Sequence, residues 1–173
     1  MPDLPSRGIR PVSLASGKKV EIYGIELTVP EEATTREWTN ERGLPMTSVM
    51  LAGEETELPY LVVSHVASSG NSLEEESYLQ EMTLAGSGRL CTYVARTPET
   101  WPVGSGTADA YMLTWTDEEP HDDGTSVMTD RAALLVADGA TGRWRIIATA
   151  QPGDLTEDSL AWRTMMTATI DEP

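Results

Sequence analysis

Apolar and polar residues alternate with a period of two over much of this chain, the spacing of strands with one buried face. From Val20 to Val29 the alternation changes phase: Val20 and Ile22 are even, whereas Ile25, Leu27 and Val29 are odd. A one-residue slip sends side chains to the opposite face, so Tyr23-Gly24 is predicted to be a bulge or tight turn. Pro30 closes the run. Residues 31–46 are polar, with Trp38 the only large apolar group, and read as irregular or as a short helix. Thr47 to Ala52 and Pro59 to Val66 read as strands separated by an acidic turn, Gly53 to Glu57. The second is nearly apolar on both faces, which predicts a central place in a sheet. Arg89 to Arg96 reads as another strand, followed by a Pro98 to Pro102 loop that carries Trp101.

Three further strand patterns follow. Thr107 to Thr116 alternates, Val127 to Ala137 is long and ends at the turn signal Asp138-Gly139, and Gly142 to Ala150 resumes. In the last of these Trp144, Ile146, Ala148 and Ala150 share one face, while Arg143, Arg145, Ile147 and Thr149 share the other. That contrast predicts a half-exposed strand.

Two segments have the helical period instead. Ser72-Leu-Glu-Glu75 is a capping-box sequence, and Glu74, Glu75 and Glu76 fall where the helix dipole favours negative charge. Tyr78, Leu79 and Met82 form a short apolar stripe, and Gly86 is a plausible stop. Near the end of the chain Asp154 or Thr156 can cap a helix. On it Leu155, Trp162, Met166 and Ile170 fall in one sector, Ala161 and Met165 beside them, with Leu160 pointing away. Burying each large side chain of that stripe contributes about 1.5–3 kcal/mol. Gly106 to Ile170 therefore reads as half of an antiparallel sheet with a helix laid across it. The organisation expected is a loosely ordered arm, 1–19, and one α+β domain, 20–173.

Composition narrows the function classes. At 173 residues and 39% apolar, the chain is long enough for one sizeable core. Phe is absent, so Trp and Tyr supply the large aromatic contacts, and Trp115, Trp144 and Trp162 are the expected anchors. The net charge of −16 disfavours nucleic acid and anionic membranes, and would steer a basic protein partner favourably. A single cysteine, Cys91, precludes an internal disulfide framework. Met1 to Gly17 contains no apolar leader-like core, and no stretch is apolar enough to span a bilayer, so the expected location is cytoplasmic.

Candidate chemistry is sparse. The loop Asp117 to Gly124 concentrates carboxylates around His121, and Glu119, His121, Asp123 and Asp130 loosely mimic the spacing of a calcium loop. A histidine nitrogen is a poor calcium ligand, Ser126 occupies a position that calls for an apolar residue, and the flanks read as strands. A solvated hairpin loop is the better reading. Cys91 with His65 could supply a nucleophile and base, but both fall in predicted strands, where a small buried thiol and a core histidine explain them. Gly104-Ser-Gly106 and Gly86-Ser-Gly88 lack nucleophile-elbow spacing. No phosphate loop or zinc spacing occurs, and no cofactor is implied.

Tyr23-Gly-Ile-Glu-Leu-Thr-Val-Pro30, Trp38 after it, the Ser72-Leu-Glu-Glu75 helix start, and a hydrophobic helix after Arg143-Trp-Arg-Ile-Ile-Ala-Thr-Ala150 occur in an order that resembles the PsbP-like superfamily, over about residues 20 to 170. That superfamily includes LpqN-type and DcrB-like proteins. The resemblance implies an α/β/α sandwich around a central antiparallel sheet, here of about six to eight strands, with a mid-chain helix and a C-terminal amphipathic helix. It also implies an accessory or binding role and no catalytic motif. The chain departs from the group in lacking a Ser-Phe ending, a signal peptide and a lipobox.

The expected function is thus a non-enzymatic protein-interaction module. One alternative is a small acidic chaperone or adaptor that shows a sheet face to an apolar segment of a secreted cargo, with Arg143 to Thr149 a place for such a face. The other is a small-ligand binder or enzyme with a pocket between sheet and helix. Oligomeric state is not legible in the residues.

Overall fold

A computed structural model describes residues 4–53 and 58–171. Most of the predicted acidic turn, 54–57, lies outside them. The described chain forms β1 (Lys18–Ile22), β2 (Ile25–Val29), β3 (Thr34–Thr39), β4 (Pro45–Met50) and β5 (Tyr60–Val66), then α1 (Leu73–Ala85). After α1 come β6 (Ala95–Val103), β7 (Gly106–Pro120), β8 (Ser126–Asp138), β9 (Gly142–Ala150), α2 (Leu160–Met166) and β10 (Thr169–Ile170). The ten strands make one sheet, in the order β1-β2-β10-β6-β7-β8-β9-β5-β4-β3.

This corrects the expected sandwich of six to eight strands. The protein is mostly sheet, curled into a half-barrel, and its two helices are short. The pairing is mixed, because β10 runs parallel to β6 at Ile170 and Val103.

Three local causes explain the extra sheet. Strand β3, predicted to be irregular, is a sheet edge whose six residues are all exposed, so neither face imposes an apolar alternation. The predicted Pro98 to Pro102 loop is the body of β6. Away from β7, β6 is paired only at Val103, so Pro98 and Pro102 remove no ladder bond there. Conversely, most of the predicted Arg89 to Arg96 strand is irregular, touching the sheet through one bridge between Leu90 and Asp117. The third cause lies in the last helix. It spans only seven residues, with Ser159 as its cap, and closes in a tightened last turn where the Thr167 amide donates to the Thr164 carbonyl (3.1 Å) and the Ala168 amide to the Met165 carbonyl (3.2 Å). Ile170 then joins the sheet rather than the helix.

Other expectations agree with the structure. Ile22 and Ile25 close a tight β1–β2 hairpin over Tyr23 and Gly24, and both turn residues have positive φ (53° and 86°). Tyr23 accepts that strain while its carbonyl takes a hydrogen bond from Trp144 Nε1 at 3.1 Å. Strand β5 is interior, between β4 and β9. The capping box on α1 is formed in both directions, at 3.2 and 3.3 Å.

The two sheet faces differ. One is sealed: Ile25, Leu27, Val49, Leu61, Val63, Met112, Leu134 and Ile146 pack with Trp101, Trp144, Trp162, Met165 and Met166 from around them. Trp162 and Met166 are buried and Leu160 is exposed, as the α2 pattern predicts. On the opposite face α1 covers only the β7–β8 half, through Leu73 over Tyr111, Leu113, Trp115, Ala133 and Leu135. The predicted stripe Tyr78, Leu79 and Met82 points to solvent.

Residues 4–17 carry no regular secondary structure but are pinned to the sealed side. The buried Glu99 carboxylate accepts from Ser6 Oγ (2.6 Å), the Arg7 amide (2.9 Å) and the Gly8 amide (3.0 Å). The Arg7 guanidinium lies 4.5 Å from the Trp162 ring.

Trp101 is fully buried, and its Nε1 donates to the Ala168 carbonyl at 3.2 Å. Trp101→Ala is expected to cost about 3–5 kcal/mol in urea unfolding, as for other buried aromatic truncations. Trp38→Ala, on the exposed edge, should cost under about 1 kcal/mol.

Candidate functional site

Because α1 is short, the face formed by β3, β4, β5 and the far halves of β9 and β8 has no helix over it. The sheet curls here and the long β7–β8 hairpin overhangs it, enclosing a cleft of about 1040 Å³. Cross-strand register explains the lining. Trp38 lies opposite Met46, Arg36 opposite Ser48, Met50 opposite Tyr60, and Tyr60 opposite Thr149. Val62, Ile147, Val127 and Leu58 complete an apolar floor, and Arg131, Glu119 and His121 stand on the hairpin side.

The hairpin wall is rigidly bonded. Asp117 accepts from Thr129 Oγ1 (2.7 Å), Arg131 Nε (3.1 Å) and Trp115 Nε1 (3.1 Å). Arg131 Nη2 also reaches Glu119 at 3.5 Å. At the floor Thr149 is fully buried, and its Oγ1 has no hydrogen-bond partner. Such a cleft can hold an apolar body and orient it by a few polar groups.

The predicted calcium-like residues do not share one site. Glu119 faces Arg131, and Asp123 accepts from the Thr125 amide (2.9 Å) and hydroxyl (2.6 Å). The hydroxyl bond and then the amide bond of Thr125 hold the Asp123 carboxyl below its ordinary range, against an opposing loss of hydration that outweighs the help from His121. Asp130 accepts from the Thr116 hydroxyl (2.6 Å) and the Gly153 amide (2.9 Å), tying β8 to the segment before α2. Among the described residues no three His, Cys, Asp or Glu side chains converge. His121 lines the cleft.

Cys91 and His65 are not a pair. His65 Nε2 lies 2.6 Å from Asp138 Oδ2, with the ring packed 5.3 Å from that of Trp144. Asp138 ends β8, and the sequence marks it as a turn signal; only the sheet topology brings it to His65. Cys91 is exposed rather than buried in a strand. Lost hydration first, then repulsion from Glu118 and Asp117, push its thiol above the ordinary range. Full exposure makes the neighbouring acids the more persuasive of these causes.

Neither a protein-family description nor a curated sequence matches the chain. A solved structure does: the solution structure of cyanobacterial PsbP (CyanoP) from Synechocystis sp. PCC 6803. It superposes with a TM-score of 0.56 at 13% identity, covering 92% of this chain and 95% of that one. The fold is PsbP-like. At that identity the PsbP likeness concerns the backbone, so it assigns no role to the cleft residues. Among the described residues no helix is long and apolar enough to cross a membrane.

A thiol with a raised pKa carries less thiolate at a given pH and reacts more slowly. Iodoacetamide labelling of Cys91, followed by mass spectrometry from pH 7 to 10, should therefore reach half its maximal rate at a higher pH than a free cysteine peptide. Glu118→Gln removes one source of repulsion and should move the profile to lower pH.

Proposed function

We propose that this chain is a non-catalytic binding module that receives an apolar segment of a partner protein in the cleft between β3–β5 and the β7–β8 hairpin. The observation that carries this reading is the cleft itself. Met46, Met50, Tyr60, Val62 and Ile147 line an uncovered sheet face while the other face is sealed. Methionines and aromatics adapt to varied apolar side chains, which suits recognition of a segment rather than of one rigid molecule. The groups with catalytic potential are dispersed. His65 is held by Asp138, and Cys91 stands apart on the far side of β7 with a suppressed thiolate. The accessory roles implied by the PsbP-like resemblance run in the same direction.

The cleft volume also favours a second reading, a small-ligand binder, since it matches the upper end of small-molecule sites at roughly 300–1000 Å³. Native mass spectrometry of protein from its own cells separates the two, because a small ligand leaves a discrete mass adduct.

Photo-crosslinking in those cells from a benzoylphenylalanine at position 38 tests the proposal. One protein should be trapped repeatedly, and Val62→Arg on the cleft floor should reduce its capture at least tenfold without unfolding the chain. Capture that is indifferent to Val62→Arg would contradict the proposal.

A further inference from the structure

Arg143 and Arg145 alternate on β9, so both project onto the face that α1 partly covers. Their cross-strand neighbours there are Val66 and Ala137 for Arg143, and Ser64 and Leu135 for Arg145. None of these carries a negative charge. The helix supplies one carboxylate: Glu76 Oε1 lies 3.0 Å from Arg143 Nη2. The other terminal nitrogen of Arg143, Nη1, is enclosed and has no acceptor, and the residue is only 9% exposed. Arg145 is half-buried, and among the described residues no carboxylate lies within ion-pair distance of it.

The electrostatics agree. Burial first, then repulsion from Arg143 and Arg42, lower the pKa of Arg145, and Glu76 opposes them only in part. Arg143 and Arg145 therefore share one acid, in a chain whose net charge is −16. Burying cations without matching acceptors is costly, and a partnered guanidinium needs planar, paired oxygen acceptors.

We propose that Arg143 and Arg145, with the exposed Arg42 at the rim, form an oxyanion site between α1 and β9 that accepts a carboxylate or phosphate group. The Arg145 guanidinium offers a fork of donors to such a group, and Arg143 Nη1 gains the acceptor it lacks. Arg145 precedes the cleft residue Ile147 by two positions on the same face, so the site adjoins the α1 end of the cleft. The oxyanion site does not rest on the cleft reading: one concerns charge at α1, the other an apolar floor.

Thermal unfolding of the full chain tests this, with sodium phosphate and sodium acetate each titrated against sodium chloride at matched ionic strength and pH. A saturable rise in Tm is expected with at least one oxyanion, roughly 5–10 °C at a hundredfold over its dissociation constant. Saturation by phosphate alone identifies a phosphate group as the natural ligand chemistry, and saturation by acetate identifies a carboxylate. Arg145→Met, which keeps most of the side-chain stem, should abolish the rise, and Glu76→Gln should lower the concentration at half-saturation. If Arg145→Met fails to fold, Arg42→Gln at the exposed rim should raise the half-saturating concentration severalfold. A rise that is linear in salt, or the same in wild type and the variants, would overturn the proposal.

Discussion

Two residues of strand, Thr169 and Ile170, splice the sheet. Without β10 the N-terminal hairpin β1–β2 has no neighbour on its inner side, because β10 alone stands between β2 and β6. The splice is reinforced from both directions. Thr28 donates its amide to Thr167 Oγ1 at 2.9 Å, Gly104 donates to the Ile170 carbonyl at 2.8 Å, and Trp101 donates to the Ala168 carbonyl. Val12 adds a bond to the Met166 carbonyl at 3.0 Å, so both ends of the described chain meet at this seam. A buried backbone group left without a partner costs about as much as a lost hydrogen bond, which makes the seam an all-or-none arrangement.

The function proposed depends on what the seam achieves. With the hairpin, α2 and the N-terminal segment all committed to one face, that side of the sheet is filled. The other side has only α1, whose thirteen residues pack over β7 and β8 and reach β9 at its Arg143 end through Glu76. The remaining strands line the cleft with half-buried Tyr60, Val62 and Ile147 over the buried Met46 and Met50, and no helix covers them. Charge follows the same division. The chain is acidic, yet Arg36, Arg131, Arg143 and Arg145 all project onto the partly open face. Net charge alone suggests a basic partner, whereas the local charge beside α1 favours an anionic group.

Legibility in the sequence tracks how each element is buried. The β1–β2 turn, β5, the β7–β8–β9 meander and the α1 cap could be read because alternation or an unbroken apolar run marks the strands and Gly24, Gly139 and Ser72 punctuate them. Strand β9, expected to be half-exposed, is nevertheless largely buried on both faces. Strand β3 could not be read, since an edge strand with both faces wet has no pattern to impose. Strand β6 was hidden by Pro98 and Pro102, which signal a loop unless one knows that the strand's other edge lies open. The α2 stripe named the right buried residues, Trp162 and Met166, but continued a helical period through Thr167, where the chain becomes strand. The cleft was invisible for another reason. Its lining comes from six strands, and its depth depends on the curl of the sheet, which no local spacing encodes. Asp138 beside His65, and Glu76 beside Arg143, are likewise products of topology.

Amide hydrogen exchange on the full chain and on a version ending at Ala168 tests the splice most directly. Loss of β10 should release the amides of β1, β2 and Gly104 to fast exchange, while β8 and β9, each paired on both sides, stay protected. Unchanged protection of β2 after the truncation would show that the hairpin is held by something other than this seam, and would contradict the account.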